Sequence, residues 1–110
     1  MKALVINVPG NRVGEPYFVP IDDMAKDGKA VGFIIADEDL EQLAQGCKVV
    51  LVDNYNRDKR YEGEFVKIET EEKARNGRQR YNVHFKSAIA VPYRYDAVKR
   101  QTGTSVINLT

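Results

Sequence analysis

Tryptophan is absent from this chain, and cysteine and histidine occur once each, as Cys47 and His84. A lone cysteine excludes an intramolecular disulfide and a multi-cysteine zinc site. A nucleophile–base pair could only be Cys47 with His84, and no motif marks an orienting group or an oxyanion hole for it. No apolar run approaches the roughly 18 residues of a membrane span. The opening run Met1–Val8 is interrupted by Asn7 and followed by Pro9-Gly10, which reads as a strand and turn rather than a signal segment. A cytoplasmic location and no membrane partner are therefore expected. Formal net charge is only +1, too small for a protein that coats nucleic acid by bulk charge.

The remaining cofactor and metal signatures also fail. Asp22, Asp23 and Asp27 before Gly28 resemble a calcium loop, but counting from Asp23 puts Ala25 at the third position and Ile34 at the twelfth. The bidentate acid is then missing. Gly10-Asn11-Arg12-Val13-Gly14 lacks the Lys-Ser/Thr of a P-loop and has too few glycines for a dinucleotide fingerprint. Asp37, Glu38, Asp39 and Glu41 are explained by a helix N-terminus, where the macrodipole favours acids. Glu62 and Glu64 sit two apart on one strand and read as a solvated face opposite basic residues. We expect no cofactor, no metal and no catalytic residue.

What the chain does contain is a bipolar charge distribution and strong strand patterning. Residues 1–53 hold five Lys/Arg against nine Asp/Glu, and residues 54–110 hold twelve against seven. That is −4 followed by +5, enough to steer an anionic partner or to pair one half with the other. At 110 residues one domain, 1–110, is expected.

Leu4 to Val8 is predicted as a buried strand, with Leu4, Ile6 and Val8 on one face. Tyr17–Ile21 reads as extended, with Pro20 barring a central position. Asp22–Gly28 suits one helical turn ended by Gly28, and Ala30–Ile35 a strand. The clearest predicted helix is Asp37–Gln45, with Asp39 and Gln42 at capping-box spacing and Gly46 at its end. Cys47 reads as a buried thiol opening the next strand.

Lys48–Asp53, Tyr61–Glu69 and a run from Arg80 to Tyr93 predict three consecutive strands. In the last, Tyr81, Val83, Phe85, Ser87, Ile89, Val91 and Tyr93 alternate with a mostly polar set that includes Asn82 and His84. Gly63 suggests a bulge, and Asn76-Gly77 a primed hairpin turn. Residues 103–109 could return as a last strand. The predicted fold is α+β or mainly β, a small bent antiparallel sheet or partly open β-barrel with one short helix.

The two tips of this meander carry the chemical bias. Tyr55, Arg57, Lys59 and Arg60, beside Tyr61, surround the first. Lys73, Arg75, Arg78 and Arg80, beside Tyr81, surround the second, and residues 73–80 contain no acid. Arginine with interleaved tyrosine suits phosphate contact and base stacking, while charged tips also keep strand ends apart. The sequence thus points to a small non-enzymatic binding module for RNA or single-stranded nucleic acid. The alternative is a protein-interaction or structural protein, for instance a homodimer joined through Val106–Leu109.

Overall fold

The computed structural model describes residues 2–8, 20–44, 46–53, 59–73, 76–91 and 103–108. In chain order the elements are β1 (Lys2–Val8), α1 (Ile21–Asp27), β2 (Lys29–Ile34), α2 (Asp37–Leu40), β3 (Lys48–Asp53), β4 (Arg60–Glu71), β5 (Arg80–Ala90) and β6 (Gly103–Asn108). The strands form one curled sheet in the order β2-β5-β4-β3-β1-β6, a half-barrel. Its outermost strands approach each other, because Thr104 Oγ1 on β6 donates to the Ile34 carbonyl on β2 at 3.0 Å. The expected bent sheet or partly open barrel is what forms.

The expected all-antiparallel pairing does not hold throughout. β1 runs parallel to β3, with Leu4 opposite Val49 and Ile6 opposite Leu51, and antiparallel to β6. Parallel pairs are stable where both faces are covered, and that condition is met here. Leu4, Ile6, Val8, Val49 and Leu51 belong to the main core, while Ala3, Val5, Val50 and Val52 form a second buried cluster on the other face.

α1 fits its predicted place. Ile21 and Met24, three apart, are buried, and Gly28 takes φ +71 while its N–H caps the Met24 carbonyl at 2.9 Å. Pro20 is extended as predicted, but Ile21 already begins the helix; residues 17–19 lie outside the described set. α2 is much shorter than predicted and is joined by α1 as a second short helix. After Leu40 the bonding tightens to three-residue spacing, with the Gln42 N–H on Asp39 O and the Leu43 N–H on Leu40 O. The capping box does not form: Ala36 is the N-cap, without a side-chain bond. Gln42 instead accepts from Lys2 Nζ and donates to Glu38 O. α2 buries no residue of its own, and without packing a helix this short is not extended. Leu40 and Leu43 nevertheless rest against the core.

Bulges bend the β4–β5 hairpin. Gly63 sits where pairing slips between Glu62 and Glu64; a Cβ there would lie 2.9 Å from Lys86 O and 3.1 Å from the Phe85 ring. Opposite it, Ser87 adopts φ +57 and adds one residue to β5. That inserted residue shifts the alternation locally, although Val91 beyond it is buried as predicted. Val83 and Phe85 are buried as predicted and Ala88 packs against the core, whereas Ile89, expected inside, is 64% exposed. Tyr93 lies outside the described residues.

The second tip is also corrected. Gly77 has positive φ, +83, but Asn76 does not, so the turn is not the type I′ that requires both. Paired Glu71 and Arg80 are joined by the longer loop 72–79, in which the Asn76 side chain accepts from the Arg78 N–H at 3.0 Å.

Candidate nucleic-acid interface

The two tips leave opposite ends of β4, whose twelve residues would span about 36 Å if straight. The described residues of the two tips therefore lie apart. Each must be judged separately, and the chemistry of the two differs.

At the first tip, Lys59 and Tyr61 both converge on Asp22 in the first turn of α1. Lys59 Nζ lies 2.5 Å from Asp22 Oδ2, and the Tyr61 hydroxyl donates to Oδ1 at 2.5 Å. The Lys59 ammonium and then the Tyr61 hydroxyl hold the Asp22 carboxyl below its ordinary range. Reciprocally, the bond to Asp22 pushes both Lys59 and Tyr61 upward. This cluster ties α1 to the entry of β4. Nothing in the sequence links Asp22 to residues some forty positions away; only the placement of α1 beside the start of β4 does so.

Arg60 is 3% exposed. It lies opposite Val52, on the face of the second buried cluster, and its burial removes it from any outer surface. Tyr55 and Arg57 fall outside the described residues.

The second tip is built differently. Glu71, at its base, accepts from Asn82 Nδ2 at 2.8 Å and from the Glu72 N–H. These bonds, Asn82 first, lower the Glu71 carboxyl. Asn82 Oδ1 in turn accepts from the Gly32 N–H at 3.0 Å, where β2 carries its own bulge with Gly32 at φ +79. Gln79 Nε2 donates to the Arg80 carbonyl at 2.9 Å and also to that of Glu71. Asn82 was expected on a solvated face; it is buried because it joins three segments at the root of the hairpin.

Beyond this root, Lys73 and Arg78 are exposed, and no ion pair to either is seen among the described residues. Arg80 is half-buried and makes interactions of its own. Arg75 lies outside the described residues. Tyr81 packs against the core and so is not a free stacking platform.

His84 and Cys47 are engaged with different groups. The imidazole Nε2 bonds Glu69 Oε1, which lowers the Glu69 carboxyl. The buried Cys47 thiol donates to the Gln42 carbonyl at 3.6 Å. Glu64 faces Lys86 at 3.9 Å, as the reading of a strand face opposite basic residues anticipated. Among the described residues, no three His, Cys, Asp or Glu side chains converge as metal ligands. No helix among them is long and apolar enough to cross a membrane. The Gly10–Gly14 loop lies outside the described set. The chain matches no protein-family model, no curated protein and no solved structure.

Proposed function

We propose that this protein is a non-enzymatic binding module that engages RNA or single-stranded nucleic acid through its second hairpin tip, with Lys73 and Arg78 as phosphate contacts. The observation that carries this reading is the contrast between the tips. Lys59 is held by Asp22 and Arg60 is buried, whereas Lys73 and Arg78 stand exposed. The adjacent acid Glu71 is turned to Asn82 and its own backbone. With Glu71 drawn back into the root, Glu72 is the one exposed acid beside Lys73 and Arg78 among the described residues of the tip. Arg75 and Arg80 would add to the positive charge there.

Because Tyr61 and Tyr81 are engaged within the fold, the contact is expected to be mainly electrostatic and tolerant of sequence. Fluorescence anisotropy with several labelled single-stranded RNA and DNA oligomers tests this, beginning at low salt. Affinities should be similar across sequences. The salt slope should flatten by roughly 0.7 log units per phosphate contact removed, hence by about 1.4 in the Lys73→Gln/Arg78→Gln double variant. No binding at low salt, or an unchanged slope in a folded double variant, would defeat the proposal.

A further inference from the structure

Residues 106–108 of the strand expected to be open belong to β6, which ends the sheet. β6 pairs with β1 along Lys2–Asn7, and Thr104 reaches β2 from its outer side. A further edge lies within the sheet. β3 pairs with β4 only from Arg60 to Glu64, followed by the Phe65 N–H to Cys47 carbonyl bond. From Lys67 to Glu71, β4 pairs with β5 on one side, and among the described residues no strand pairs on the other. Val66 is 42% exposed; Lys67, Glu69 and Thr70 are exposed as well.

Unpaired backbone groups of this kind accept another strand. The side chains say which strand. Around Ile68 the order is Val66-Lys67-Ile68-Glu69-Thr70. Antiparallel pairing of two copies about a two-fold axis at Ile68 sets each Lys67 opposite the other copy's Glu69. In-register parallel pairing would instead stack like charges. Ile68 already leans on the core, so its twin would extend that apolar row across the junction. β4 carries its own bulge between Phe65 and Lys67, so its regular edge begins at Lys67; the edge of β5 past Lys86 is broken by Ser87 in the left-handed conformation, which twists it away from a partner.

We infer that two copies of this chain associate through the outer edge of β4, centred on Lys67 to Glu69, in antiparallel register about Ile68. This contact is independent of Lys73 and Arg78, and stands or falls separately from nucleic-acid binding. Sedimentation velocity of the full chain over a wide concentration range should show a reversible monomer–dimer equilibrium. Lys67→Glu and Glu69→Lys, each placing like charges in register, should each weaken the dimer by about tenfold or more. The double exchange Lys67→Glu/Glu69→Lys restores opposite charges at both pairs and should restore association, while circular dichroism confirms that every variant is folded. A strict monomer overturns the inference. So does a dimer indifferent to the single exchanges, or one that the double exchange fails to recover.

Discussion

Among the described glycines Gly28 is the most tightly constrained, and replacing it with alanine separates two costs. Its φ of +71 is a conformation that L-residues avoid, at about 1–2 kcal/mol. A Cβ there would also lie 2.7 Å from the Phe85 carbonyl oxygen, a backbone atom that cannot swing aside. The same two residues are joined by the Phe85 N–H to Gly28 carbonyl bond at 3.0 Å, so relief requires prying α1 and β2 from β5. Overpacking of this kind adds about 1–3 kcal/mol, and Gly28→Ala should cost about 2–5 kcal/mol in all. Gly77 provides the comparison: its φ is +83, yet a Cβ there meets nothing within 4 Å. Gly77→Ala should therefore show the conformational cost alone, about 1–2 kcal/mol. Urea unfolding followed by far-UV circular dichroism measures both. A Gly28→Ala variant no less stable than Gly77→Ala would refute the close approach to Phe85.

Phe85→Ala should destabilise by about 3–5 kcal/mol, since Phe85 is buried, whereas Ile89→Ala should stay within about 0.5 kcal/mol. Equal losses in urea unfolding would show that the Ser87 bulge does not turn Ile89 to solvent. Asn82→Ala should cost about 1–3 kcal/mol by stranding the Gly32 N–H. It should also raise the Glu71 pKa toward its ordinary value, read by NMR titration of the Glu71 carboxyl; an unmoved Glu71 would disprove the coupling. The Asp22 carboxyl is lowered by Lys59 and Tyr61, so its stabilising share is complete above the unfolded pKa of about 3.9 and fades as pH falls through the folded value. Tyr61 and Lys59 are raised, so their share is complete below about pH 10 and fades as pH rises through their folded values. In Asp22→Asn, thermal midpoints measured against pH should lose part of their dependence at both ends; curves parallel to the wild type would sink that assignment.

Local patterns were legible wherever one residue type dictates a backbone state. Gly28 ended its helix, Gly63 marked a bulge and Gly77 took positive φ, because no other residue adopts those states or tolerates those approaches cheaply. Lys48–Asp53 was legible as a strand from its apolar run alone. Patterns that depended on phase failed. A period-two reading assumes an unbroken ladder, and the single extra residue at Ser87 turned Ile89 from the core to solvent. The Asp37–Gln45 helix carried the right signals, but a marginal helix persists only with packing, and the fold gave it little.

By itself, then, the sequence determined that strands dominate, where they turn, and that positive charge gathers at two tips, because period, glycine and charge are local properties. Tertiary structure decided what those charges can do. It bound Lys59 to Asp22 across the fold, buried Arg60 between strands, and drew Glu71 back from Lys73 and Arg78 through Asn82. It also ran β1 parallel to β3 and, among the described residues, ended the β3 ladder of β4 at Glu64. Each of these outcomes depends on which distant segments become neighbours, and chain order carries that only through the packing of the whole sheet.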